Sequence, residues 1–342
     1  MTKSALITGI TGQDGAYLSQ LLLQKGYKVY GGVRRTSSSD YWRLRELNIE
    51  KEVALVDLDL AEESNIIRVI DKLGVDEIYN LAAQSFVATS FELPVYTTQI
   101  DGVAVCRLLE AIRLSQRPTK FYQASTSEMF GMVTESPQTE TTPFHPRSPY
   151  GVAKLYAHWI TVNYRESYDL FACSGILFNH ESPLRGPEFV TRKSAMALAQ
   201  IRHGRQRVLQ LGNLNSRRDW GFAGDYVAGM WAMLQADSAD DYVLATGETW
   251  SIREFVGRAG AALGFDIEWE GEGVNEVGID RCTGKTVVEI DPRFYRPAEV
   301  DALLGNPRKA MERLGWRPQA SFDQLVELMV RAEHDRAAGM SG

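Results

Sequence analysis

The chain is predicted to be α/β, with a doubly wound parallel sheet followed by a smaller α/β lobe. Three observations carry that prediction. Short β-type runs alternate with helical patterns through the first half. Those runs are mostly apolar, as strands covered by helices on both faces must be. After about Asn179 the pattern changes to longer loops rich in Pro, Gly and Arg, among them "NHESPLRGPEF", "GNLNSRRDWGF" and "DPRFYRPAEV".

The elements follow in order. "SALITGI" reads as the first strand. From Gly15 to Lys25, Leu18, Leu21 and Leu22 fall at helical spacing, and Gly26 closes that helix. "YKVYGGV" and "VALVDLDL" are the next two strands, the latter followed by a helical stretch through Lys72. "EIYNLAA" and "KFYQAST" are two more, with a helix around Val103–Leu114 between them. The expected division is a nucleotide-binding domain over 1–178 and a mostly substrate-binding lobe over 179–342, with some segments of the latter returning to the first domain. There is no internal repeat or long linker.

Composition narrows the class. The 342 residues are 44% hydrophobic and 24% charged, an ordinary globular balance, with a net charge of −7. An acidic chain argues against nucleic acid or an anionic membrane as the main partner. No apolar run approaches the length of a membrane helix. The opening "MTKSALITGITG" goes straight into a strand and lacks the longer apolar stretch of a signal peptide, so cytoplasm is the expected location. Cys106, Cys173 and Cys282 are far apart, the five His are scattered, and neither type shows metal-ligand spacing.

"TGITGQDG" places Gly9, Gly12 and Gly15 between a strand and a helix. Glycines there let backbone approach a pyrophosphate, and a helix N-terminus favours its charge. The expectation is a Rossmann-type dinucleotide site. An NAD site usually offers a carboxylate at the end of the second strand. Here the chain offers "VRRTSSS", in which Arg34 and Arg35 suit a 2′-phosphate and Ser37 a hydrogen bond to it, so NADP is expected. Asp59 and Leu60 end the third strand where an adenine edge commonly sits. Leu81–Ser85 ("LAAQS") end the fourth, where the cofactor backbone crosses.

Tyr150 and Lys154 are i and i+4, and Pro149 suits a helix start. An ammonium near a phenol favours the phenolate, so Tyr150 is expected to have a lowered pKa and to act as a general base on a sugar hydroxyl. Ser125, Thr126 or Ser127, at a strand end, is placed to hydrogen-bond the same hydroxyl. Glu128 lies two residues beyond Thr126, so in an extended strand end the two side chains share a face. In the second lobe Arg185, Lys193, Arg217, Arg218 and Arg296 stand out, with Trp220, Phe294 and Tyr295 close by. Arg forks suit a diphosphate, and the aromatics are candidates to stack on a base.

These stretches together resemble a known group. The sequence is similar to the extended short-chain dehydrogenase/reductases that act on nucleotide sugars, and more narrowly to the GDP-mannose 4,6-dehydratase family. The likeness runs through "GITGQDGAYL", "EIYNLAAQS", "FYQASTSEMFG", "ETTPFHPRSPYGVAKLYAHW", "GILFNHESPLRG" and "RRDWGFAGDYV". It implies roles residue by residue. Thr126, Tyr150 and Lys154 correspond to the catalytic triad and Glu128 to the elimination base. Gly9, Thr11, Gly12, Gln13, Asp14, Gly15, Arg34, Arg35, Ser37, Asp59, Leu60, Leu81, Ala83, Gln84, Ser85, Tyr96, Lys154, His180 and Arg185 correspond to NADP contacts. Asn179, Lys193, Arg218 and Arg296 correspond to contacts of the GDP-sugar, alongside Ser85 and the catalytic group. The resemblance implies GDP-mannose as substrate and a homodimer or homotetramer. Nucleotide-sugar 4-reductases and 4-epimerases share the scaffold but do not require Glu128 as a base.

Overall fold

The computed structural model describes residues 2–38, 40–294 and 302–339. Six strands, β1 (Ser4–Thr8), β2 (Lys28–Val33), β3 (Ala54–Asp57), β4 (Glu77–Asn80), β5 (Lys120–Thr126) and β6 (Ala172–Leu177), form one sheet with a seventh, Tyr242–Leu244. The order is β3-β2-β1-β4-β5-β6 and then Tyr242–Leu244, and every pairing is parallel. The order in which strands are added reverses between β1 and β4. In such sheets ligands bind outside the carboxyl ends of the strands at that reversal.

Several strands stop earlier than the apolar runs predict. β1 ends at Thr8 because Gly9 takes φ +68°, which breaks the extended chain. β3 covers only Ala54–Asp57 of "VALVDLDL", and β4 ends at Asn80 rather than Ala83. The first helix, Gln13–Gln24, starts two residues before the predicted Gly15. The helix expected around Val103 is Ala104–Ser115, and a π-helical turn, Gln99–Val103, leads into it.

Apolar layers cover both faces of the sheet. One contains Leu18 and Leu22 of the first helix with Met230 and Met233 of Ala223–Gln235. The other contains Ile66, Ile70, Leu108, Ile112 and Phe121. Thus Ala223–Gln235 and Tyr242–Leu244 return from the later sequence to the first half.

A separate apolar cluster, with Leu198, Trp220, Phe255, Phe322 and Met329, lies in the second lobe. Helices Val190–Arg202, Ile252–Ala262 and Phe322–Ala338 pack there beside a four-stranded sheet of Leu209–Leu211, Ile267–Glu270, Val277–Asp280 and Lys285–Ile290. Among the described residues no helix is long and apolar enough to cross a membrane.

A buried ion pair ties two helices of this lobe. Arg192 Nε donates to Glu333 Oε1 at 2.8 Å, and Arg336 donates to the same oxygen at 2.6 Å. Removing one partner strands a buried charge. Glu333→Ala is expected to cost about 3 kcal/mol, read as a lower midpoint in equilibrium urea unfolding.

Candidate active site

A cavity of about 620 Å³ opens at the carboxyl ends of the strands, lined from both halves of the chain. Its floor is the turn after β1. A Cβ on Gly9 would lie 2.7 Å from Ala82 N, and one on Gly15 would lie 2.5 Å from Gly9 O, so only hydrogen fits at either position. Gly12 is the N-cap of Gln13–Gln24 and supplies no side-chain cap. The first-turn N–H groups are left for an anion, and the helix dipole favours it. Thr11, Gly12, Gln13, Asp14 and Gly15 all line the cavity. This uncapped, close-packed turn fits a dinucleotide pyrophosphate.

Asp14 puts a carboxylate in that first turn, where it would repel a phosphate. His180 answers it. Nε2 lies 2.8 Å from Asp14 Oδ2, and Nδ1 lies 2.8 Å from the Phe178 carbonyl oxygen. Both ring nitrogens face acceptors, so each must carry a proton and the ring is an imidazolium. Burial works against that charge but Asp14 outweighs it, and the His180 pKa is raised. Asp14 is lowered in turn, because His180 and Arg185 outweigh its own burial. Gln13 Nε2 donates to His180 O at 2.8 Å, and Ser182 Oγ donates to Gln13 Oε1 at 2.8 Å. These bonds lock the turn to the later strand.

Farther along, Arg34, Asp59, Leu60, Leu81, Ala83, Ser85 and Tyr96 line the cavity, and Arg34 donates to the Tyr96 hydroxyl at 3.1 Å. Three expected residues are off the wall. Arg35 and Ser37 point elsewhere, while Thr36 and Ser38 line it with Arg34. Along extended chain, alternate side chains face alternate sides. Gln84 turns its side chain onto the Phe86 backbone, accepting from Phe86 N at 2.8 Å.

The second wall carries Thr126, Glu128, Tyr150 and Lys154. Ser148 caps the helix Pro149–Tyr168 by accepting from Gly151 N at 3.0 Å, and Pro149 takes the first position. Tyr150 and Lys154 then share the cavity face. Glu128 does not continue the strand. β5 ends at Thr126, whose hydroxyl accepts from Glu128 N at 3.3 Å and caps a single 3₁₀ turn, Ser127–Met129. That turn, not strand alternation, brings Glu128 beside Thr126.

The expected lowering of the Tyr150 pKa is corrected. Burial and then Asp101 hold the phenol well above its ordinary value, opposed by a hydrogen bond from Thr126. Lys154 Nζ is 5.8 Å from the Tyr150 ring centre and donates instead to Ala124 O at 3.0 Å. Burial lowers the Lys154 pKa, with Asp101 opposing.

A buried polar chain, absent from the expectations above, joins the two walls. Thr8 donates to Asn80 Oδ1 at 2.7 Å, Asn80 donates to Gln123 Oε1 at 2.8 Å, and Gln123 donates to Ala124 O at 3.0 Å. Ala124 O is also the acceptor for Lys154. Each of these polar residues interrupts an apolar strand near its carboxyl end, and that interruption was the available signal.

From the second lobe Asn179, His180, Arg185 and Arg218 line the cavity. Lys193 does not line it. Its ammonium sits 3.3 Å from the ring centre of Phe294. Arg217 is turned onto Thr249 O at 2.6 Å and Glu254 at 3.2 Å. Trp220 is buried core, stacked on Phe322. Arg296 and Tyr295 lie outside the described residues.

Comparison with known proteins decides the family. The pattern of the GDP-mannose 4,6 dehydratase family matches residues 6–329. GDP-mannose 4,6-dehydratase of Vibrio cholerae is 51% identical, covering 96% of this chain and 93% of that one. The human GDP-mannose 4,6 dehydratase is 52% identical over 96% of this chain and 91% of its own.

The chain belongs to the GDP-mannose 4,6-dehydratase family. Solved structures with lower identity share the fold. A dTDP-glucose 4,6-dehydratase from Streptomyces venezuelae, solved with NAD, superposes with a TM-score of 0.82 at 22% identity, covering 98% of each chain. The protein RMD of Pseudomonas aeruginosa, solved with NADPH, does so with a TM-score of 0.76 at 21% identity, covering 98% of this chain and 100% of that one.

In this family member the His180–Asp14 pair carries a pH signature. The folded-state pKa of His180 is raised, so its contribution to stability is complete below the unfolded value of about 6.5 and is lost as pH rises through the folded value. Urea midpoints should therefore fall as pH rises above the unfolded value, and His180→Gln should remove that part of the slope.

Proposed function

We propose that the chain converts GDP-D-mannose to GDP-4-dehydro-6-deoxy-D-mannose and water, with NADP as its resident cofactor. The observation that carries this reading is one cavity lined by the uncapped glycine turn, by Thr126, Tyr150 and Lys154, and by Glu128. NADP, when bound, supplies the internal redox couple, taking hydride from carbon 4 of the sugar and returning it at carbon 6. Arg34 at the end of β2 favours the 2′-phosphate, where an NAD site would show a carboxylate. His180, held as an imidazolium, cancels Asp14 beneath the pyrophosphate.

The residues divide the proton work. Thr126 hydrogen-bonds the carbon-4 hydroxyl and Tyr150, once ionised, takes its proton. The Lys154 ammonium supports that ionisation against burial. A ketone at carbon 4 acidifies the proton at carbon 5. Glu128 removes that proton and, now protonated, gives it to the departing carbon-6 hydroxyl; as hydride is returned at carbon 6, carbon 5 takes a proton from solvent and Tyr150 releases the carbon-4 hydroxyl proton to solvent. Arg218 and Asn179 are placed for the GDP end of the substrate. A 4-epimerase or 4-reductase has no use for the Glu128 carboxylate in that place.

The same reading assigns 1–178 to the cofactor and most of 179–342 to the substrate. It places the enzyme in the cytoplasm, where Cys106, Cys173 and Cys282, all unpaired, suit a reducing compartment. The product supplies routes to GDP-deoxysugars such as GDP-fucose or GDP-rhamnose. It also gives the chain a homo-oligomeric form. Val152, Tyr156 and Trp159 stand on one side of the Pro149–Tyr168 helix with 56%, 47% and 54% exposure, an apolar stripe that a second copy would cover.

Incubation with GDP-mannose and NADP⁺ in heavy water is expected to yield a product lighter by one water, with a new methyl signal, deuterium at carbon 5 and no net NADPH. Glu128→Gln should lower kcat by about 10³-fold while NADP binding is kept. Recovery of unchanged GDP-mannose would sink the reading. Light scattering tests the stripe: Trp159→Glu is expected to shift the mass towards a monomer, and an unchanged oligomer of the parent and the variant would move the interface elsewhere.

A further inference from the structure

The ionisable groups buried around the cavity do not all have an assigned task. Asp14 has His180. Lys154 has the neutral Ala124 carbonyl. Asp101 is 1% exposed, and none of the proposed steps uses it. It lies in the π-helical turn Gln99–Val103, and such widened turns recur at functional sites.

The turn packs hard on the catalytic helix. A Cβ on Gly102, the next residue, would lie 3.3 Å from Ala153 O, one position before Lys154. Asp101 Oδ1 accepts from Gln84 N at 2.7 Å, in the loop beyond β4. Oδ2 is buried and has no hydrogen-bond partner among the described residues. A bare carboxylate oxygen in a low-dielectric corner is costly unless a charge answers it. The neighbouring elements offer few. Arg107, on Ala104–Ser115, is committed to Leu60 O at 3.2 Å and Gln99 Oε1 at 3.3 Å. Tyr96 comes from Pro94–Thr98 and Tyr150 and Tyr156 from the catalytic helix, all phenols. Asp14, Glu128 and Arg185 bear on Lys154 or Tyr150 from the cavity side. Lys154, on the helix that the turn packs against, bears on Asp101 and opposes its burial.

We propose that Asp101 is a positioning residue for the reaction: its buried carboxylate is the counter-charge that keeps Lys154 an ammonium and keeps Tyr150 a phenol until substrate is in place. The inference rests on the catalytic reading of Tyr150 and Lys154. Its signs are determined. Burial raises the Asp101 carboxyl to about 6, with Lys154 opposing, so the group is ionised at neutral pH. Its negative charge raises the pKa of both Lys154 and Tyr150. Removing that charge lowers both.

The test is Asp101→Asn, which keeps the size and the acceptor for Gln84 N. In the NADP-loaded enzyme both limbs of the kcat–pH profile should move to lower pH by about one unit, because Tyr150 and Lys154 both lose the negative charge that raises their pKa. A uniformly lower kcat with both limbs in place would mean a merely structural residue and would overturn the proposal. A second measurement needs no turnover. In protein labelled with ¹³Cε-lysine, the Lys154 signal is identified as the one missing from Lys154→Arg. It should keep its ammonium shift well above neutral pH in the parent and lose it at lower pH in Asp101→Asn; the same titration in both would overturn the proposal. A Lys154 already neutral at that pH in the parent would also overturn it, whether or not GDP-mannose proves to be the substrate. If turnover of GDP-mannose is absent and the lysine signal behaves as expected, the functional reading fails and Asp101 stands.

Discussion

The site depends on one buried chain of hydrogen bonds. It starts at Thr8, crosses β1, β4 and β5 through Asn80 and Gln123, and ends on Ala124 O, where Lys154 also donates. Thr8 Oγ1 is saturated, because it accepts from both Leu81 N and Ala82 N at 3.1 Å while donating to Asn80. Every direction in the chain is forced by the next, since an amide has one carbonyl and one NH₂ end. A buried network of this kind rigidifies when complete and is costly when broken. Here it spans the point where the order of strands reverses. The glycine turn and Lys154 are thereby held in one register, although they are far apart in sequence.

Burial is the force that the rest of the site has to balance. It pushes Tyr150 and Asp101 up and Lys154 down, each towards its neutral form. At His180 and Asp14 a direct contact at 2.8 Å is strong enough to reverse the effect, and both partners stay charged. At Lys154 the partner is a carbonyl and the carboxylate stands farther off, so burial prevails. The difference between a reversed and an unreversed shift is therefore one of distance. The two outcomes suit the two tasks proposed for them: a fixed charge under a pyrophosphate, and a proton poised to move at the reacting carbon.

Much of this was legible in the sequence, and the exceptions have physical reasons. Strand–helix alternation predicted the parallel sheet, and the Gly9, Gly12 and Gly15 spacing predicted the turn, because both are local patterns. Tyr150 and Lys154 shared a face as soon as the helix was assumed. Glu128 reached the cavity for a reason other than the one predicted, since a 3₁₀ turn is invisible to period-2 counting. Arg35 and Ser37 failed on side-chain alternation within a loop. Arg217 and Trp220 were left open, because composition cannot tell an Arg on a carbonyl from one on a ligand, or a core indole from a loop aromatic. Asp101 carried no motif. Its position matters only because a widened helical turn presses it against a helix some fifty residues later.

The two halves of the chain meet most tightly at the cofactor end of the cavity. Gln13 bonds His180 O and Ser182, and Arg43 donates to both Thr11 O at 2.9 Å and Leu184 O at 2.6 Å. Phe86 and Phe189 meet edge to face across the cavity, with ring centres 5.8 Å apart. Polar bonds of fixed direction thus gather at the glycine turn, where the proposed dinucleotide would stay through many turnovers.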